Sequence, residues 1–198
     1  MTLTAETATE YDFMVLLDAS GSMSNKSVRF EGRTRWDEAQ ESILATARAI
    51  EPFDADGIDV VVFGPGVTTV EGVTADKVAE VFASRGPRGS TPLAEALSVA
   101  VEKQKRTGKK TFAFVFTDGE PDSHSAVVNV ITNAANNIAS DEDLTFLFVQ
   151  IGDDSKARAY LDNLDDHLTA KFDIVDVVSV AEADNFEPLA LINKAIAD

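Results

Sequence analysis

The 198-residue chain has no cysteine. That excludes disulfides, thiolate metal sites and a cysteine nucleophile, and leaves the redox compartment open. Basic residues are scarce: 17 Lys and Arg stand against 34 Asp and Glu, a formal net charge of −17. Binding phosphate needs a basic footprint, so neither nucleic acid nor a membrane surface is an expected partner. No apolar run approaches the ~20 residues of a membrane span. The first ten residues, Met1 to Glu10, lack the basic and apolar regions of a signal peptide, which points to a cytoplasmic protein. The G-x-S-x-G elbow, the P-loop with its lysine and the H-E-x-x-H helix are also missing. The two histidines, His124 and His167, fall outside any metal-like spacing and read as surface or capping residues.

What is present is ordinary for a globular chain: 44% hydrophobic and 26% charged residues. The length suits one domain, expected over 11–198 behind a flexible N-terminal tail at 1–10. Phe13-Met14-Val15-Leu16-Leu17 is a short continuous apolar run, as in a strand buried on both faces, so a strand is expected over 11–18. Further strands are expected over 58–63, 67–73, 111–117, 144–151 and 171–178. Between them, apolar residues at helical spacing predict helices over about 33–50, 75–83, 92–107, 123–139, 155–165 and 185–197. Trp36, Ala39, Ile43, Ala47 and Ile50 mark the inner face of the first. Thr91-Pro92 reads as a helix start, with threonine as N-cap and proline in the first turn. This alternation predicts the α/β class: a doubly wound, mostly parallel central sheet with helices on both faces.

In such a sheet, loops at the C-terminal ends of central strands meet in space. Loops 18–22, 85–91 and 118–122 would bring together Asp18, Ser20, Ser22, Thr91 and Asp118. Taken singly, each residue is explained as a turn or a cap. Together, two carboxylates and three hydroxyls suit a hard divalent cation, Mg²⁺ or Mn²⁺.

Asp18-Ala19-Ser20-Gly21-Ser22, then Thr91 within Gly89-Ser90-Thr91-Pro92-Leu93, then Thr117-Asp118-Gly119 resemble the three parts of the metal-ion-dependent adhesion site (MIDAS) of von Willebrand factor A domains. The resemblance spans about 11–198. It implies a Rossmann-like sheet with one short antiparallel edge strand, which Val67–Val73 fits. It implies that Ser20 and Ser22 ligate the metal through their hydroxyls. Thr91 would bind it directly or through water, and Asp18 and Asp118 would hold metal-bound waters. The remaining position would accept a Glu or Asp carboxylate from a protein partner. The expected function is therefore a non-enzymatic binding module, with an AAA+ ATPase or a stress-response or tellurite-resistance system as its setting.

Six of the 17 basic residues, Lys26, Arg29, Arg33, Arg35, Arg85 and Arg88, lie in the two loops expected to flank the metal. That clustering invites an acidic partner surface. The loop after Ser22 is also longer than the family's usual one. The alternative is a Mg²⁺-dependent phosphohydrolase of the haloacid dehalogenase type, whose parts Asp18, Thr117 and Asp153-Asp154 imitate. Ser20 speaks against it: that chemistry needs a second Asp there to protonate the leaving group, and a serine hydroxyl is no such acid near neutral pH.

Overall fold

A computed structural model describes residues 4, 7–54 and 56–197. Of the expected tail, residues 1–3, 5 and 6 lie outside the described residues, and Thr7–Glu10 form a 3₁₀ turn leading into the first strand.

Six strands form one sheet: β1 (Tyr11–Asp18), β2 (Ile58–Phe63), β3 (Val67–Val73), β4 (Lys110–Thr117), β5 (Leu144–Gln150) and β6 (Val175–Ser179). Their order is β3-β2-β1-β4-β5-β6. All neighbours run parallel except β2 and β3, which are antiparallel. The helices are α1 (Arg35–Ile50), α2 (Val78–Ala83), α3 (Leu93–Thr107), α4 (His124–Asn137), α5 (Ser155–Asp166), α6 (Val180–Ala183) and α7 (Pro188–Ala197).

Strand alternation sorts the apolar residues into two cores. Phe13, Val15 and Leu17 face α1, α2 and α7, together with Phe112, Phe114 and Phe116. Met14 and Leu16 face α3, α4 and α5, together with Phe146 and Phe148. Since both faces are covered, β1 reads as an unbroken apolar run rather than an alternating one. β3 is mostly exposed and closes one edge of the sheet, as a polar, Thr-containing strand can.

Two boundaries differ from expectation. β6 begins at Val175, not at 171, because the Asp173 carboxylate accepts from the Val175 N–H at 3.2 Å and turns the preceding chain away from the ladder. The last helix, expected over 185–197, begins at Pro188, and an unexpected short helix, α6, precedes it at Val180–Ala183. Ser179 and Glu182 cap α6 reciprocally, and α7 starts anew at Pro188, since proline disfavours helical backbone at the residue before it.

The chain starts at β1, builds outward through β2 and β3, then returns to lay β4 on the other side. Sheet direction of growth therefore reverses between β1 and β4. A crevice opens at such a switch point, beyond the C-terminal ends of the two strands. Asp18 is the last residue of β1, and Thr117 the last of β4.

Candidate functional site

At the switch point, hydrogen bonds tie Asp18 to Ser20, Ser20 to Ser22 and Ser22 to Asp118, and the loop that carries Thr91 joins them through Gly89 O, which accepts from Gly21 N–H. Asp18 is fully buried. Its Oδ1 accepts from the Ser20 backbone N–H at 2.7 Å, and its Oδ2 accepts from the Thr117 hydroxyl at 2.7 Å. Burial pushes the Asp18 carboxyl up to about 6, against the pull of the Thr117 and Ser20 hydrogen bonds, and the nearby Asp118 charge adds to the rise. An anion so placed favours a cation beside it.

Ser20 and Ser22 sit two residues apart, entering and within a 3₁₀ turn over Gly21–Ser24. Their hydroxyl oxygens are 3.0 Å apart. The Ser22 hydroxyl also donates to Asp118 Oδ1 at 2.7 Å, joining the first loop to the third across 96 residues of sequence.

Main-chain bonds fix the loops against one another. Ala19 N–H donates to Phe63 O at 2.7 Å, Arg88 N–H to Ala19 O at 2.8 Å, and Gly21 N–H to Gly89 O at 3.2 Å. Gly64 allows this crossing, since a Cβ there would lie 2.8 Å from Ala19 O and 3.2 Å from Arg88 O, both unyielding backbone atoms.

Thr91 corrects one expectation: it does not cap α3. Pro92 holds the N-cap position, with no side-chain cap. Asp122 instead clasps the Thr91 backbone. Its Oδ1 accepts from Thr91 N–H at 2.8 Å, while its own N–H donates to Thr91 O at 3.0 Å. The Thr91 hydroxyl has no hydrogen-bond partner among the described residues and is free to serve as a ligand. In sequence Asp122 shows only as one more acid near the site; nothing in its spacing reveals the clasp.

The basic loops also depart from expectation. Arg29 pairs with the fully buried Glu38 and with Asp184, and Arg33 pairs with Glu41. Arg35, the first residue of α1, donates from Nη1 to Asp118 Oδ2 at 2.8 Å. Three of the six cations expected to face an acidic partner thus have acidic partners within the chain. Of the two histidines, His124 is half exposed, lies 3.1 Å from Glu120 and stacks on Tyr160; His167 ends α5.

The donor set fits a small hard cation. Adjacent ligands on an octahedral ion with bonds of about 2.1 Å lie about 3 Å apart, the separation of the Ser20 and Ser22 hydroxyls. Among the described residues no group of three or more His, Cys, Asp or Glu is placed to hold a metal. An ion held here would draw on the serine hydroxyls beside the two carboxylates.

Among curated proteins none matches the chain in sequence. Solved structures do match in fold. One is the manganese-loaded TRAP protein of Plasmodium vivax, 18% identical over 96% of this chain and 74% of that one, with a TM-score of 0.63. Another is a point mutant of the PilB minor pilin of Streptococcus sanguinis, 12% identical over 94% and 61%, with a TM-score of 0.66. A third is proximal thread matrix protein 1 from the mussel byssus, with a zinc-occupied MIDAS motif, 15% identical over 95% and 47%, with a TM-score of 0.51. The chain thus spans less than two thirds of the pilin and about half of the byssus protein. A sequence profile of the von Willebrand factor type A domain matches residues 13–120, from β1 through the Asp118 loop, and the chain belongs to that family.

Proposed function

We propose that the chain binds a divalent cation at a MIDAS and uses it to grip an acidic side chain of a protein partner. The observation that carries this reading is the hydrogen-bonded chain of Asp18, Ser20, Ser22 and Asp118 at the β1–β4 switch point, with the Thr91 loop held against it through Gly89. Ser20, Ser22 and Thr91 would hold the ion through hydroxyls, and Asp18 and Asp118 would hold its waters. The bound ion supplies a Lewis-acidic position open to an external Glu or Asp carboxylate. The chain's own part is to keep the two serine hydroxyls at ligand spacing, to fix Thr91 through Asp122, and to hold Asp18 rigid with Thr117. Two structures of similar fold support it: TRAP is manganese-loaded, and the byssus protein has a zinc-occupied MIDAS motif. Magnesium as the physiological ion and an AAA+ ATPase as partner belong to the same reading and rest on the family resemblance; a cytoplasmic setting rests on the composition of the first ten residues.

A phosphohydrolase finds less support. Both Asp18 oxygens are already engaged, the residue is fully buried, and Asp154 caps α5 by accepting from Lys156 and Ala157 N–H. An attacking carboxylate needs a free, accessible oxygen.

The test is a calorimetric titration of EDTA-stripped protein with Mg²⁺ and Mn²⁺, run beside a Ser20→Ala/Ser22→Ala variant. The wild type should show one saturating site, and the variant none while remaining folded. Absence of binding in the wild type, even with excess acetate to complete the coordination, would overturn the reading.

A further inference from the structure

Arg35 is the feature that the metal reading leaves unexplained. Its side chain is only 13% exposed, and its hydrogen-bonded anion, Asp118, is buried. The guanidinium rests in a notch left by Gly152, where a Cβ would come within 2.8 Å of Nε, 2.9 Å of Cζ and 3.0 Å of Nη2. Gly152 has φ +80°, so both its backbone and its missing side chain suit this contact. Arg35 Nε is buried with no hydrogen-bond partner among the described residues. The residue is thus packed in place, with one carboxylate oxygen as its acceptor. A buried cation stranded from its partner is strongly unfavourable, so Asp118 Oδ2 is committed to Arg35.

This commitment divides the Asp118 carboxylate. Oδ1 serves the Ser22 hydroxyl and Oδ2 serves Arg35. It also changes the charge of the site. The two carboxylates alone would neutralise a divalent ion, and the guanidinium restores a positive charge beside it. A neutral site has little long-range attraction for an anion, whereas a positive one attracts it.

We propose that Arg35 is a positioning and specificity residue of the metal site, holding Asp118 so that metal affinity is lowered and affinity for an acidic ligand is raised. The proposal rests on the MIDAS reading above and goes beyond it in assigning the preference for a carboxylate to a residue of α1 rather than to the ion alone. α1 begins with a capping box, Thr34 and Asp37, which fixes Arg35 at the first helical position facing the third loop.

The experiment compares wild type, Arg35→Lys and Arg35→Gln, each stripped with EDTA and titrated calorimetrically with Mn²⁺, with and without excess acetate. Arg35→Gln should bind Mn²⁺ at least about tenfold more tightly than wild type. Acetate should strengthen Mn²⁺ binding in wild type and Arg35→Lys, and do so several-fold less in Arg35→Gln. A purely structural arginine would shift the melting temperature and leave the acetate effect unchanged. Because Arg35→Gln could unfold, Gly152→Ala serves as a second variant. Its Cβ displaces the guanidinium while leaving every metal-site residue in the sequence, and it should move both readouts in the same direction. Equal or weaker Mn²⁺ binding in the variants, with an undiminished acetate effect, would overturn the role of Arg35 and leave the metal site standing. No Mn²⁺ binding in any of these proteins, acetate included, would overturn both.

Discussion

The Thr117 hydroxyl donates to Asp18 Oδ2 at 2.7 Å, joining the last residue of β4 to the last residue of β1. Both residues are fully buried. Thr117→Val keeps the shape and leaves a carboxylate oxygen without its donor. The expected loss is about 1–3 kcal/mol of unfolding free energy. Thr117→Ser keeps the donor and should lose about 1 kcal/mol or less, the worth of one buried methyl group. The hydrogen bond favours the charged carboxylate, whose folded-state value lies near 6. The valine deficit should therefore be larger at pH 8 than near pH 5. Urea denaturation of the three proteins at both pH values checks this; equal deficits for valine and serine would remove Thr117 from its assigned role.

Asp122 should matter to the metal without touching it. Its carboxylate and its N–H clasp the Thr91 backbone at 2.8 and 3.0 Å. Asp122→Ala releases one half of the clasp and lets the Thr91 loop move, so Mn²⁺ affinity should fall by roughly tenfold, about 1.4 kcal/mol. Asp122→Asn retains an acceptor oxygen and should stay within about threefold of wild type. The pair of variants separates a positional role from a charge effect: were both to weaken binding equally, the carboxylate's charge rather than its hydrogen bond would be responsible.

Glu38 is the buried anchor of the long loop before α1. Its side chain is fully buried; Oε1 accepts from Arg29 at 3.2 Å and Oε2 from the Ser27 hydroxyl at 2.8 Å. Removing one member of a buried pair leaves the other poorly compensated. Arg29 is one quarter exposed and also reaches Asp184, which softens the effect. Glu38→Ala should lose about 2–3 kcal/mol. Proteolysis should then cut the wild type slowly and the variant readily between Asn25 and Thr34. An unchanged digestion rate would mean that the loop is held by other contacts.

The sheet and the loop that follows β1 were legible in the sequence because both are local signals. A two-sided apolar strand such as Phe13–Leu17 announces itself as a run, and Asp18-Ala19-Ser20-Gly21-Ser22 is contiguous. The remaining site contacts are tertiary. Arg35 reaches Asp118 across 83 residues, and Asp122 reaches Thr91 across 31. From sequence, Arg29, Arg33 and Arg35 look like a basic surface; only folding brings Glu38, Glu41 and Asp118 to them. Thr91 reads as a cap for a similar reason. Threonine before proline is a sound local helix start, but Asp122 takes hold of the Thr91 main chain and the helix begins two residues later, at Leu93.

A pH response is expected at the opposite end of the sheet. Asp54 follows α1 and lies near the start of β1, where burial and the neighbouring charges of Asp56 and Asp12 push its carboxyl up to about 6, against Lys109 and a hydrogen bond from the Phe13 backbone. Lys109 itself pairs with Asp12 at 3.1 Å. A folded-state value above the unfolded one of about 3.9 means that the folded protein takes up the proton first as pH falls. Ionised Asp54 therefore costs stability above pH 6, and the cost disappears on acidification from about 6 to about 4. Because the group is partly exposed, solvent screening limits it to about 1 kcal/mol. Asp54→Asn removes the buried charge and keeps an acceptor for the Phe13 N–H. The variant should be more stable than wild type at pH 7.5, and the advantage should vanish near pH 4. Urea melts across that range test it; an advantage independent of pH would show that packing, not ionisation, is what the substitution changes.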